Sequence, residues 1–184
     1  MPLPEAETLC AALADAMRPH VDPSRTALVG IHTGGVWVAE RLASALGIKT
    51  PPGAIDVSFY RDDYSRRGLQ GKAPAAQMPF DVEGAHIIIV DDVLYTGRTI
   101  RAALNEVFDY GRPARVELAV LVDRGGRELP ISASYCACTH HLPATQTLSL
   151  KRDAAQQLFF RVIENEVSEN ANAGSIGVKR SGGN

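Results

Sequence analysis

The residues of this chain that are best suited to chemistry lie in one short segment. Thr96, Gly97, Arg98 and Thr99 follow an apolar run and open a helical pattern. Backbone N–H groups at a helix start have no partner within the helix and carry partial positive charge, so they attract anions. The two threonine hydroxyls add donors, and a glycine lets the backbone approach a bulky group. The pattern predicts a cradle for a phosphate group.

Two acidic residues directly before this turn indicate a sugar. Asp91 and Asp92 end the apolar run 87–90. Carboxylates repel phosphate, but beside a phosphate site they accept hydrogen bonds from sugar hydroxyls or hold a hard cation such as Mg²⁺. We therefore expect a phosphorylated sugar with Mg²⁺. The alternative is an ordinary strand–turn–helix connection in which Thr99 caps the helix and the aspartates are solvated. The sequence has no Walker motif.

The elements that must position these residues alternate between strand and helix. Apolar spacing predicts helices over 5–17, 36–46 and 99–110, strands over 26–31, 55–60, 86–92 and 116–122, and weaker strands over 132–138, 146–150 and 157–163. This order predicts an α/β fold with a mostly parallel sheet and right-handed crossovers. Ligands of such sheets bind beyond the carboxyl ends of the strands. The polar segments 32–35, 61–72 and 91–99 all follow predicted strands.

The composition is typical of one soluble domain. The chain has 184 residues, 45 % of them hydrophobic, and a net charge of −2. This charge gives no overall attraction to nucleic acid or to an anionic membrane, and no apolar run is long enough to span a bilayer. Three cysteines, an odd number, favour a reducing cytoplasm over a disulfide framework. We predict a domain over 1–167 and a flexible tail over 168–184.

Four blocks of the chain together resemble a known family. They read LVGIHTGG (28–35), IDVSFYRDD (55–63), IIIVDDVLYTGRT (87–99) and LVDRGGRELPI (121–131). The third is similar to the phosphoribosyl-pyrophosphate (PRPP) signature of type I phosphoribosyltransferases. The set resembles their PyrR branch, pyrimidine operon regulators that are also uracil phosphoribosyltransferases. The resemblance implies the type I phosphoribosyltransferase fold, with a flexible lid loop at about 61–79 and a small hood at about 135–152.

The resemblance also assigns roles around the sugar phosphate. The family moves ribose 5-phosphate from the pyrophosphate of PRPP to N1 of uracil, which gives UMP. The turn 96–99 would bind the 5-phosphate, and Val93, Leu94 and Tyr95 would shape the loop before it. Asp91 and Asp92 would bind the ribose hydroxyls, directly or through Mg²⁺.

Further roles concern the leaving group and the acceptor. The resemblance assigns pyrophosphate to the loop Thr33, Gly34 and Gly35, with added charge from Arg61. Arg124 and the backbone near Leu148 would face uracil. Purine-using relatives carry a carboxylate at the position of Tyr95, so Tyr95 favours a pyrimidine acceptor.

The chain departs from the family in two places. Relatives have T-R-G in the pyrophosphate loop, whereas this chain has Gly34 at the middle position. An arginine restored there would be expected to lower the KM for PRPP. After residue 135, relatives carry Gly-Lys-Asn and a basic Pro-Thr-Ser segment that this chain lacks.

Regulation is the second function that the resemblance implies. Regulators of this branch bind pyr leader mRNA when UMP or UTP is bound, and act as homodimers or larger homo-oligomers. The first helix of this chain supplies few cations to an RNA-binding face, since Arg18 is followed only by His20 and Arg25. A regulator with little catalysis is the alternative to a uracil transferase.

A cysteine- and histidine-rich segment suggests a metal site. Cys136, Cys138, His140 and His141 have spacing that suits soft ligands. Alternation along a strand would also put both cysteines on one face, packed in the core, and we favour this second interpretation.

Overall fold

The computed structural model describes residues 3–57 and 76–165, and in this part of the chain helices and strands alternate as expected. The elements are α1 (Ala6–Met17), β1 (Thr26–Ile31), α2 (Gly34–Leu46), β2 (Gly53–Ile55), β3 (His86–Leu94), α3 (Arg98–Asp109), β4 (Arg115–Asp123), β5 (Tyr135–Thr139), β6 (Gln146–Arg152) and β7 (Leu158–Glu164). The first five strands form a sheet in the order β2-β1-β3-β4-β5. Every pairing in it is parallel, and β6 and β7 form a separate antiparallel hairpin.

Apolar strands form the centre of the sheet because both of its faces are covered. All six residues of β1 are buried, and so are residues 87–92 of β3. Helices α1 and α2 cover one face together with the inner residues of the β6–β7 hairpin, and α3 covers the other face. Strands buried on both faces read as continuous apolar runs, which is why the sequence predicted them well.

The second strand is shorter than predicted. The alternation of 55–60 predicts a strand, but β2 ends at Ile55, and 58–60 lie outside the described residues. Ile55 is paired with Ile31, the last residue of β1, and its carbonyl accepts the His32 N–H at 2.8 Å. Because β1 ends there, it offers β2 no further partner residues within the part of the chain that the structure describes.

Residues 135–152, which were expected to form one small hood, belong to two separate sheets. Residues 135–139 form β5, the edge strand of the main sheet, whereas 146–152 belong to the β6–β7 hairpin. Most of the expected lid (61–79) and the tail (168–184) lie outside the described residues. No described helix is both long and apolar enough to cross a membrane.

Candidate active site

The carboxylates of Asp91 and Asp92 lie at the carboxyl end of β3, inside the protein. Their residues are only 2 % and 9 % exposed, because β3 continues to Leu94 instead of ending at Asp92 as predicted. Asp91 Oδ1 accepts the Asp92 N–H at 3.0 Å, and Asp92 Oδ2 accepts the Leu150 N–H at 3.3 Å. Buried carboxylates require such partners, and here the fold supplies backbone N–H donors to both of them at the edge of the sheet.

The turn Thr96–Thr99 leaves β3 and enters α3 next to these carboxylates. Gly97 adopts a left-handed conformation (φ 93°), and α3 begins at Arg98. The Thr96 carbonyl accepts the N–H groups of Glu128 and Leu129 at 3.0 and 3.1 Å, while its Oγ1 accepts the Arg98 N–H at 3.3 Å. These bonds fix the turn, with the N-terminus of α3 at the same edge as the carboxylates. The segment predicted to be a phosphate cradle is thus a turn between a strand and a helix start in the structure.

The predicted pyrophosphate loop is partly helical. Gly34 and Gly35 form the first turn of α2, after Thr33. A Cβ at Gly35 would collide with the Val90 carbonyl oxygen, so glycine is needed for α2 to start this close to β3. The Gly34 position faces the Asp92 carboxylate. The predicted pyrophosphate loop and the predicted ribose-binding carboxylates are therefore in contact in the folded protein.

Arg124 brings a buried cation to this edge. Its N–H donates to the Leu94 carbonyl at 3.0 Å, and its guanidinium lies over the Tyr95 ring, 3.9 Å from the ring centroid. Nη2 donates to the Pro143 carbonyl at 3.2 Å, while Nε is buried without a hydrogen-bond partner among the described residues. Arg124 is only 6 % exposed. Stacking and burial hold this charge in one place.

Sequence analysis missed two contributors to the site. Arg127 donates to the carbonyls of Tyr95 and Ile131 and to the Asp123 carboxylate, so it ties the loop after β4 to the loop after β3. Leu150 supplies the N–H that reaches Asp92. It lies two residues from Leu148, whose neighbouring backbone was predicted to face the site, and both leucine side chains are buried on the inner face of the hairpin. The LVDRGGRELPI block contained the signal for Arg127, but the contact of Leu150 follows only from the folded hairpin. Arg61 lies outside the described residues.

The cysteine- and histidine-rich segment belongs to no cluster of ligands: among the described residues, no three His, Cys, Asp or Glu side chains are grouped so that they could hold a metal ion. Cys136 is exposed and Cys138 is half-buried, so the expectation that both pack in the core was wrong for Cys136. Cys138 and Ala137 both pack against the core. Partial burial raises the pKa of the Cys138 thiol, which disfavours the thiolate that binds metals.

Comparison with known proteins shows which family this chain belongs to. The model of the phosphoribosyl transferase domain matches residues 2–147. A "Bifunctional protein PyrR" of Pseudomonas paraeruginosa is 49 % identical over 161 residues, which cover 86 % of this chain and 90 % of the relative. One of Nitrosococcus oceani is 51 % identical over 76 % of this chain and 78 % of its own. The chain belongs to the PyrR family of phosphoribosyltransferases.

Solved structures agree with the fold of this PyrR family member. A purine phosphoribosyltransferase from Pyrococcus horikoshii is 28 % identical, with a TM-score of 0.55, over 73 % of this chain and 82 % of its own. A hypoxanthine-guanine phosphoribosyltransferase from Bacillus anthracis has a TM-score of 0.57 at 14 % identity, over 76 % and 84 % of the two chains. The predicted type I phosphoribosyltransferase fold is confirmed, with a parallel central sheet flanked by helices.

Proposed function

We propose that this chain is a uracil phosphoribosyltransferase, which converts uracil and PRPP to UMP and pyrophosphate. One observation carries the proposal. The buried Asp91–Asp92 pair lies between two helix N-termini, those of α2 and α3, at the carboxyl edge of a parallel sheet. PRPP has a phosphate at one end, a ribose in the middle and a pyrophosphate at the other. The site offers anion, hydroxyl and anion subsites in that order.

The chemistry follows from this division of roles. The turn 96–99 would bind the 5-phosphate, and the first turn of α2, with Thr33 and Arg61, would bind pyrophosphate. The bond between ribose C1 and the pyrophosphate oxygen breaks, a bond from uracil N1 forms at the same carbon, and the N1 proton is released. The helix N-terminus then stabilises the charge that develops on the leaving group. The reaction needs no covalent nucleophile.

Asp91 and Asp92 fit a magnesium ion brought by PRPP. Mg²⁺ prefers oxygen ligands and is commonly held by one or two carboxylates together with substrate phosphates. When bound, it would neutralise phosphate charge. The protein's own contribution is to hold both carboxylates at the ribose hydroxyls, where the hydrogen bonds to Asp92 N–H and Leu150 N–H keep them oriented.

Arg124 and Tyr95 support a pyrimidine acceptor. The ring of Tyr95 occupies the position where purine-using relatives carry a carboxylate, so it offers no acid or base to a purine. Arg124 presents a fixed guanidinium whose Nε has no partner among the described residues. A uracil carbonyl oxygen is a suitable acceptor for such a donor. The backbone beside Leu148 would complete the acceptor side.

Formation of UMP by the purified protein tests this function. We expect product from uracil, PRPP and Mg²⁺, and none after chelation of the metal. Asp91→Asn combined with Asp92→Asn should lower turnover at least about tenfold, because the ribose and metal contacts are lost. Asp109→Asn, which changes an exposed carboxylate at the end of α3, is the matched control. Near-normal turnover in the double variant would overturn the assigned roles.

RNA binding is a second candidate function, and the outer face of the β6–β7 hairpin favours it. Phe159 is 45 % exposed and lies across the hairpin from Lys151. Arg161, two residues further along the same face, is also exposed. An exposed aromatic ring between cations can stack on a base while the cations contact phosphates. We propose that this face contacts pyr leader mRNA in the UMP- or UTP-bound protein.

Salt dependence and mutation test the RNA proposal. With UMP present, Lys151→Ala combined with Arg161→Ala should weaken binding of leader RNA and reduce the slope of log affinity against log salt by about 1 to 2. Phe159→Ala should weaken binding without changing this slope. Binding that is unaffected by all three changes would exclude the hairpin face.

Compartment and assembly complete the proposal. All three cysteines are free thiols, which supports a reducing cytoplasm. The family resemblance supports a homodimer or a larger homo-oligomer.

A further inference from the structure

Gly34 lies directly opposite the Asp92 carboxylate, at a distance that leaves no room for a side chain. A Cβ built at Gly34 would lie 2.6 Å from both Cγ and Oδ2 of Asp92 and 3.0 Å from Oδ1. Side-chain carbons do not approach other atoms this closely in proteins. Any residue other than glycine at position 34 therefore requires the Asp92 carboxylate to move.

The same carboxylate is held from its other side. Its Oδ2 accepts the N–H of Leu150 in β6 at 3.3 Å, and Asp92 is 9 % exposed. The start of α2 next to it carries the partial positive charge of a helix N-terminus. One buried carboxylate thus lies between the first turn of α2 and the backbone of the β6–β7 hairpin.

We propose that Gly34 is a positioning residue. By having no side chain, it leaves room for the Asp92 carboxylate to hold strand β6 against the edge of the site. The catalytic meaning of this contact rests on the proposed function, in which Asp92 binds ribose. The structure also changes our expectation for arginine at position 34. Its side chain would displace Asp92, so we now expect Gly34→Arg to lower kcat/KM instead of improving the use of PRPP.

Amide exchange in the ligand-free chain tests the contact without any substrate. A hydrogen bond to a charged group contributes about 1.5 kcal/mol or more, so its loss should speed exchange of the Leu150 N–H about tenfold. We expect this acceleration in Gly34→Ala, with the N–H groups of the central strand β3 unchanged as internal controls. Asp92→Ala, which adds no atom at position 34, should produce the same acceleration.

A double-mutant cycle separates this role from a general packing effect. In the Asp92→Ala background, Gly34→Ala should cause no further change in Leu150 exchange, because the conflicting carboxylate is gone. Gly35→Ala is the matched control. Its added carbon meets the Val90 backbone, so its effect on stability should be the same with Asp or Ala at position 92.

The proposal is overturned if Leu150 exchange is within about twofold of wild type in either single variant, or if Gly34→Ala has the same effect in both Asp92 backgrounds. Since these measurements use no substrate, a failure of uracil transfer would leave them valid. If transfer is found, an increase of kcat/KM in Gly34→Arg would also contradict the proposal.

Discussion

At the scale of single residues, the site combines groups that tolerate little change. Asp91, Asp92 and Arg124 are all nearly inaccessible to solvent, and Asp92 and Arg124 are held by contacts with residues far away in the sequence. Burial strengthens electrostatic interactions with a bound substrate, but a buried charged group also needs each of its hydrogen-bond partners. Even a conservative substitution of these residues should therefore change the kinetics.

Arg124→Lys tests the acceptor side. Lysine keeps the positive charge but cannot stack flat on Tyr95 or offer the same array of donors. We expect the KM for uracil to rise at least about fivefold, while the KM for PRPP changes less than about twofold. Steady-state kinetics measure both values.

The matched control for this variant is Arg101→Lys, on the exposed surface of α3. It should behave as wild type. If Arg124→Lys instead raises the KM values for PRPP and uracil equally, Arg124 does not act on the acceptor.

The sequence predicted many of these residues but could not predict their contacts. The PRPP signature made Asp91, Asp92 and Thr96–Thr99 candidates because the chemistry and the local backbone lie in one continuous segment. The contacts of Asp92 with Gly34 and Leu150 join residues that are far apart in sequence, and nothing in the local pattern encodes them. The side chain of Arg124 is fixed by Tyr95 and Pro143, which is likewise a result of tertiary packing.

At the scale of elements, the β6–β7 hairpin is the part of the site that is least evident from the sequence. Its strands were predicted as weak candidates, and the structure confirms them. Their packing depends on a clamp in which the Glu7 carboxylate accepts the Leu158 N–H at 2.9 Å. Arg41 donates to Glu7 at 3.3 Å and to the Gln156 carbonyl at 2.6 Å. The clamp ties the hairpin to α1 and α2.

This clamp predicts a pH-dependent contribution to stability. Burial alone would raise the pKa of Glu7, but the hydrogen bonds from Arg41 and Leu158 outweigh it and hold the pKa below its usual value of 4.5. The carboxylate therefore stabilises the fold above that pH, and the effect is lost as pH falls through the folded-state pKa. Both side chains are about one-third exposed, so solvent screens the effect.

Thermal unfolding of Glu7→Gln measures this contribution. We expect a melting temperature lower than wild type by a few degrees near neutral pH, and a difference that closes in acid as Glu7 becomes protonated in the folded protein. Asp109→Asn should show little difference at any pH. A gap that widens in acid would contradict the sign of the pKa shift.

At the scale of the whole molecule, the parallel sheet explains why the site assembles. The ends of β1, β3 and β4 meet at one edge, so the segments that follow them converge although they are separate in sequence. The order of strands and helices predicted this convergence. The extent of β2 and the position of β5 were less predictable, because both depend on where a neighbouring strand ends.

Thiol labelling tests the packing of the whole fold. Burial raises the pKa of Cys10 to about 12, and Cys10 is 5 % exposed. We expect Cys136 to react with a thiol reagent in the native protein near pH 8, and Cys10 to react on the order of a hundredfold more slowly. In denaturant all three cysteines should react. Equal rates for Cys10 and Cys136 in the native state would contradict the packing of α1.

The choice of acceptor tests the central claim most directly. The solved structures described above are named for purine substrates, whereas the roles proposed for Tyr95 and Arg124 predict uracil as the acceptor here. The measurement is kcat/KM with PRPP and Mg²⁺ for uracil, orotate and hypoxanthine. We predict that uracil exceeds each of the others by at least about a hundredfold. Hypoxanthine used as well as uracil, or better, would contradict the account.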